Sequence, residues 1–429
     1  MKIVTSIKST YYLFTVSICG SLLFCQQSFA QAENVLTKAK IAEAVTDNAR
    51  KNLFPNKLMF ETSDGDSVEG YVRYTFDQKV HQDMAKVYLQ YQPDYACFVA
   101  IDVETGAILN LTSFVKSGEE WDNLVMRSEY PAASVFKMVT AAAGIDLGKI
   151  NSKTVIPYNG KSTTLYKNQV FDHKDNKWTR EPTLKESFAK SINPVFAQLG
   201  VYYLGQENLT NYAHRFGFDR PLKSDFELPE SHIRLDLSTD WALAEAASGY
   251  TRDITLSPIH AAQMAATVAN DGKMVVPYMV ESVASPNGQL LYQAQSNSSP
   301  EQVISASSAA QLRSLMTETT RIGSARSSFS GLSKYKVYKD MEIGGKTGSL
   351  TGLSPKGRHD WFVGYAEKDG RKVAYASLIV NVDKWYVRSA YVARQFIYHY
   401  FTDIQKAQEL TAAAELEKEL AKTENSADE

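Results

Sequence analysis

The chain has 429 residues, 44% of them hydrophobic and 22% charged, with a formal net charge of −2. These values describe an ordinary globular protein and exclude a disordered or polyelectrolyte chain. The near-neutral balance argues against nucleic acid, which calls for a basic face, and the length fits one large domain or two medium ones.

Residues 1–30 stand apart from the rest. Lys2 and Lys8 form a short basic region, Tyr11 to Cys25 is apolar apart from Thr15 and two serines, and Ser28-Phe29-Ala30 puts small residues at −3 and −1 of a cleavage site. This pattern reads as a secretory signal peptide cut near Ala30, and so as an exported, periplasmic or otherwise extracytoplasmic protein. The alternative is an uncleaved leader that tethers the chain to the membrane, although its apolar run is shorter than the roughly 20 residues a spanning helix needs. Cys19 and Cys25 fall in this leader. The mature chain keeps Cys97, whose apolar neighbours Ala96, Phe98 and Val99 mark a core strand with no redox chemistry.

Residues 31–70 carry a mixed polar and helical pattern and read as an N-terminal arm. From 71 to 402 the chain reads as one domain. Val72 to Asp77 alternates like a strand, and a helix from Gln78 to Gln90 carries Val80, Met84, Val87 and Tyr88 on one face. Residues 97–103 and 107–113 are β-rich runs joined by Glu104-Thr105-Gly106, a hairpin signal. A long middle region to about Leu315 reads as helices. Strand character returns at 341–349, 360–366 and 372–382, and a helix near 388–402 closes the domain. The fold expected is α/β of the α+β type: an antiparallel sheet built from both chain ends, flanked by helices, with a mainly helical subdomain inserted. Residues 403–429 form a polar tail that reads as a solvated helix.

Three short motifs carry chemistry: Ser134-Val135-Phe136-Lys137, Ser191-Ile192-Asn193 and Lys346-Thr347-Gly348. The S-x-x-K spelling also occurs at Ser113, Ser187 and Ser333, so spelling alone selects nothing. Context selects Ser134. The segment behind it, through Met138, Val139, Ala141 to Ala143 and Ile145 to Gly148, is apolar nearly all round, which marks a buried helix. Ser134 is expected at its N-terminus, where unpaired amides favour negative charge, with Lys137 three residues on over the same face. For that lysine to act as a base near neutrality its pKa must fall by about 3 units, or roughly 4 kcal/mol. Burial and a second cation can supply that shift.

Thr183-Leu184-Lys185-Glu186 has capping-box spacing, and Pro194 suits the first turn of the next helix. Ser191 and Asn193 therefore lie in a tight connection, where Asn193 is either a functional side chain or only a helix cap. Lys346-Thr347-Gly348 occurs once, on a strand with Gly344 and Gly345 before the lysine and Ser349 after it. Glycine there lets another backbone approach closely, which suits an extended peptide.

Together these residues resemble the transpeptidase domain of penicillin-binding proteins, the serine acyl-transferases in which S-x-x-K, S-x-N and K-T-G converge. The intervals are similar too: 57 residues from Ser134 to Ser191 and 155 from Ser191 to Lys346. So are the flanking runs Asp102 to Leu109, Thr255 to Pro258 and Ala269 to Lys273. The likeness covers roughly residues 70–402. Ala133 stands where that family commonly has glycine, and Ser349 where threonine is usual.

The resemblance implies a penicillin-binding transpeptidase or β-lactamase-like fold and a peptidoglycan D,D-transpeptidase. Its partners would be D-Ala-D-Ala stem peptides and β-lactam antibiotics as covalent inhibitors, with no cofactor, no metal and no nucleic acid. Ser134 would be the acylated nucleophile, Lys137 its base and Ser191 a proton relay. Asn193, Lys346, Thr347, Gly348 and Ser349 would bind substrate. The backbone N–H groups of Ser134 and Ser349 would form an oxyanion hole. A D,D-carboxypeptidase or β-lactamase with the same nucleophile, and a degenerate peptidoglycan-binding or β-lactam-sensing module, stay open beside this reading. Other chemistries lack their signatures: no G-x-S-x-G elbow and no H-E-x-x-H occurs, and His173 reads as a surface-loop residue.

Overall fold

The computed structural model describes residues 35–425 apart from 120, 173 and 296–299; the leader and His173 lie outside the described residues. The strands are β1 (Lys57–Glu61), β2 (Ser67–Tyr74), β3 (Tyr95–Asp102), β4 (Ile108–Val115), β5 (Val280–Ala284), β6 (Leu290–Gln293), β7 (Glu342–Leu353), β8 (Lys356–Lys368) and β9 (Arg371–Asn381). The helices that precede the second motif are α1 (Lys38–Arg50), α2 (Gln78–Tyr91), α3 (Lys137–Asp146), α4 (Lys167–Val170) and α5 (Leu184–Ala189). Those that follow are α6 (Asn193–Gln198), α7 (Gly205–Arg215), α8 (Asp240–Ser248), α9 (Pro258–Ala269), α10 (Ala306–Arg321), α11 (Arg326–Phe329) and α12 (Ser389–Asn425).

A five-stranded antiparallel sheet of order β4-β3-β9-β8-β7 joins the two ends of the domain, with α3 to α11 lying between β4 and β7 in the chain. The β3–β4 hairpin forms where Asp102 accepts hydrogen bonds from the backbone N–H groups of Glu104 and Thr105 at 3.1 and 2.8 Å. Strand β3 is apolar at successive positions because both of its faces are covered. Cys97, Val99 and Ile101 enter one core with residues of α3 and α9, while Ala96, Phe98 and Ala100 enter a second with α2 and α12. Helix α9 is buried at every position, which accounts for its run of alanines. Cys97 is buried, as its strand context requires.

A second sheet, of order β1-β2-β5-β6, was not evident from the sequence. It joins part of the N-terminal arm to strands more than two hundred positions later, with Val72 opposite Val283. Strand β2 runs through position 70, and α1 packs Ile41, Val45 and Ala49 into the main core. At the other end α12 runs without a break past position 402, and Asp403 at the start of the tail pairs with Lys79 at 2.6 Å. No helix of the described residues is long and apolar enough to cross a membrane.

Candidate active site

Helix α3 is buried from Lys137 to Ile145, as its composition demands, but Ser134 is not in its first turn. The serine sits one step earlier, in a 3₁₀ turn formed by Ala133–Phe136, and the α-helix begins at Lys137. The sequence expectation is corrected in that respect. The chain enters the turn with Ala133 at φ +48°, a left-handed conformation that costs an L-residue about 1–2 kcal/mol. Buried contacts on both sides hold it there. The Trp361 indole N–H donates to the Pro131 carbonyl at 3.0 Å, and Gly249 lies against Ala133.

The Lys137 side chain, fully buried, reaches back to the serine. Its Nζ lies 2.8 Å from Ser134 Oγ, 2.7 Å from Asn193 Oδ1 and 2.5 Å from the Ser248 carbonyl oxygen. Burial, helped by the nearby charge of Lys346, holds its pKa well below the ordinary lysine value. The neutral amine has two N–H donors and one lone pair. Neither Asn193 Oδ1 nor a backbone carbonyl can donate, so those two take the N–H groups and the lone pair is left facing the Ser134 hydroxyl. The Asn193 amide is itself fixed, because its Nδ2 donates to the Thr163 carbonyl at 2.9 Å.

Thr183 and Glu186 form the capping box expected of them and start α5. The cap of α6, however, is Ile192; Asn193 is the first helical residue and its side chain turns inward to Lys137. The helix-cap alternative for Asn193 therefore falls. Ser191, at φ +57°, projects from the connection and accepts a hydrogen bond from Lys346 Nζ at 2.9 Å. Lys346 is fully buried, and burial brings its pKa down to about 7. A second N–H of its amine goes to the Thr347 carbonyl at 2.9 Å.

Strand β7 is an edge strand, and its glycines are required by internal packing. A Cβ on Gly344 would meet the Tyr365 ring at 2.7 Å, and one on Gly345 the Phe362 ring at 2.5 Å. A Cβ on Gly348 would press Val135 at 3.1 Å, so this glycine docks the strand on the serine turn. The hydroxyl of Thr347 pairs with that of Ser324 at 2.5 Å, and Ser349 Oγ accepts from Arg358 Nε at 2.7 Å.

All eight residues singled out in the sequence thus meet at one place. Ser134, Ser191, Asn193, Thr347, Gly348 and Ser349 line a cleft of about 760 Å³, with Lys137 and Lys346 buried behind it. A separate cleft of about 820 Å³ lies between α1 and residues 221–230, and none of the three motifs lines it.

The penicillin binding protein transpeptidase domain model matches residues 96–398. The chain belongs to this family. Among curated relatives, peptidoglycan D,D-transpeptidase PbpA of Mycolicibacterium smegmatis is 28% identical over 380 residues, covering 79% of this chain and 72% of that protein. Stage V sporulation protein D of Bacillus subtilis is 26% identical over 65% of this chain and 44% of its own length. Among solved structures, the imipenem acyl-enzyme complex of penicillin-binding protein A from Mycobacterium tuberculosis superposes with a TM-score of 0.61 at 25% identity, covering 77% of this chain and 79% of that one.

Within this penicillin-binding fold, several residues at the site carried no sequence signal. The Ser248 and Thr163 carbonyls are backbone atoms at positions where any residue supplies the same group. Gly249 spells an ordinary helix stop, and Ser324 lies between motifs. Arg358 and Arg388 are two of many surface cations.

Proposed function

We propose that this protein is a peptidoglycan D,D-transpeptidase in which Ser134 is the acylated nucleophile. The observation that carries the reading is the geometry at Lys137: its buried Nζ lies 2.8 Å from Ser134 Oγ, flanked by two acceptors that cannot donate, and burial holds its pKa well below the ordinary lysine value. Lys137 takes the Oγ proton as Ser134 attacks the carbonyl of the penultimate D-Ala. The backbone N–H groups of Ser134 and Ser349 receive the oxyanion, each typically worth about 3–4 kcal/mol. Ser191, bonded to Lys346, relays the proton that Lys137 took on to the departing D-Ala amine, giving its own hydrogen to the amine and regaining one from Lys137. Asn193 orients Lys137, and Thr347 and Ser349 hold the terminal carboxylate. An amine of a second stem peptide then resolves the acyl-enzyme, forming the cross-link and freeing Ser134.

A β-lactam enters by the same attack and leaves a stable acyl-serine. Penicillin-binding protein A from Mycobacterium tuberculosis, to which this fold is similar, forms such acyl-enzymes with imipenem, ceftriaxone and penicillin G. The substrate lies outside the cytoplasm, which agrees with the leader read in residues 1–30. The catalytic unit is taken to span 71–402, with 31–70 as an arm and 403–429 as a tail.

Fluorescent penicillin tests the nucleophile, and a stem pentapeptide tests the outcome. Stable labelling that disappears in Ser134→Ala, with a cross-linked dimer formed when an amine acceptor is present, is the expected result. Release of D-Ala alone would make the protein a carboxypeptidase, and label lost within seconds a β-lactamase. A folded sample that takes no label would reject the acyl-serine reading.

A further inference from the structure

The orientation of the Asn193 amide is set from outside the three motifs. The two ends of a carboxamide have nearly the same shape, so the end that faces Lys137 is decided by the partner on the other side. Here that partner is the Thr163 carbonyl, which accepts from Nδ2 at 2.9 Å. A flipped amide would set Oδ1 against that carbonyl, oxygen to oxygen, and turn Nδ2 toward the Lys137 amine. The lone pair of Lys137 would then be drawn to Nδ2 and away from Ser134. The Asn193 backbone is bound to the same segment, its N–H donating to the Ser162 carbonyl at 2.8 Å.

Ser162 and Thr163 belong to an irregular, partly exposed stretch that precedes α4. It is held by Gln169 of α4, whose side chain is buried. Gln169 Nε2 donates to the Asn159 carbonyl at 3.0 Å and to the Lys161 carbonyl at 3.3 Å, and Oε1 accepts from the Tyr166 N–H at 3.0 Å. The Thr164 hydroxyl lies 3.2 Å from the same Oε1. One side chain thus ties residues on both sides of Ser162 and Thr163. It also ties them to a fixed point: the backbones of Tyr158 and Arg180 bond in both directions, and Asn159 Oδ1 accepts from the Thr179 hydroxyl at 2.9 Å. The fit is close, since a Cβ on Gly160 would lie 2.8 Å from Gln169 Nε2.

We propose that Gln169 is a positioning residue for acylation: by clamping both ends of the 161–166 segment it fixes the Thr163 carbonyl, and that carbonyl selects the Asn193 orientation that leaves the Lys137 lone pair to Ser134. The proposal rests on the reading of Ser134 as the acylated serine and adds to it a buried residue that does not line the cleft.

The test is a double-mutant cycle on the second-order rate of labelling by fluorescent penicillin, using Gln169→Met, Asn193→Ala and the two combined, with a thermal melt on each sample. Methionine keeps the bulk of glutamine and removes its hydrogen bonds. Gln169→Met is expected to slow labelling roughly 10- to 100-fold in the wild-type chain, and by less than about threefold once Asn193 is alanine. Thr164→Val, which takes one hydroxyl from the clamp at nearly equal volume, should slow labelling about two- to fivefold and carries the cycle if Gln169→Met does not fold. Losing the Oδ1 acceptor disfavours the charged form of Lys137, so the rising limb of the rate–pH profile should move to lower pH as the plateau falls. Lys346, whose charge acts on Lys137, is the same in every variant. Equal slowing with and without Asn193, a plateau that falls while the limb stays in place, or Gln169→Met labelling within threefold of wild type overturns the proposal and leaves the Ser134 reading intact. Failure of the wild-type chain to label removes that reading and the proposal together.

Discussion

Replacing Gly249 by Ala puts a methyl group where the nucleophile's own backbone already stands. Gly249 has φ +63°, and an added Cβ would lie 2.0 Å from the Ala133 carbonyl oxygen and 3.1 Å from the Ser134 nitrogen. Carbon–oxygen contacts of this kind settle at about 3.3 Å, so the turn must yield by roughly 1 Å. Displacing a reacting group by that distance slows a reaction by about a hundredfold, or about 2.7 kcal/mol in the barrier. The left-handed conformation adds about 1–2 kcal/mol against the folded state. The assay is the second-order rate of labelling by fluorescent penicillin, with a thermal melt on the same sample. Gly288→Ala is the control: its φ is +86°, it shares the backbone penalty, and nothing lies within 4 Å of an added Cβ. The expected result is slow labelling only in Gly249→Ala and a lowered melting temperature in both. Labelling of Gly249→Ala within threefold of wild type would refute the claim that this glycine sets the position of Ser134.

Asn193→Asp places a carboxylate about where Asn193 Oδ1 now accepts from Lys137 at 2.7 Å, and so raises the lysine's pKa. The reactive form is the neutral amine, so the rising limb of the acylation–pH profile should move up by at least about one unit, with activity regained as pH increases. Lys346→Met should stabilise the fold and slow acylation. Lys346 is held near 7 in the folded state against 10.5 free, so the unfolded chain binds the extra proton between those values and wild-type stability rises with pH across that window. The gain from Met is therefore greatest below pH 7 and fades toward 10.5; about 2 kcal/mol is expected at neutrality after loss of the amine's hydrogen bonds, read by denaturant melts. Trp361→Phe removes the buried indole bond to the Pro131 carbonyl, and a loss of about 2–3 kcal/mol in stability should accompany slower acylation.

What the sequence displayed and what it hid divide along physical lines. Lys346-Thr347-Gly348 was legible because side-chain chemistry at fixed spacing is written in the residues themselves. The buried helix behind Ser134 was legible because a segment apolar on all sides has one stable environment. Asn193 was ambiguous, since an amide before Pro194 serves a helix cap as well as it serves an amine; only the fold, by bringing Lys137 within 2.7 Å, decides between them. The Ser248 carbonyl left no trace because every residue has one. The second sheet was obscured because β1, β5 and β6 are short and β2 and β5 meet across a wide separation in the chain.

Two amines buried side by side are unfavourable for the fold, since each would rather be charged in water. The site turns that cost into function by giving the two lysines different neighbours. Lys137 is ringed by the serine and two acceptors that cannot donate, so folding alone aims its lone pair. Lys346 lends positive potential that keeps Lys137 neutral, and its own amine is tied to Ser191. The charge that lowers the Lys137 pKa is thus held beside Ser191, behind the cleft, so removing it, as in Lys346→Met, should also raise the pH at which Lys137 becomes an effective base.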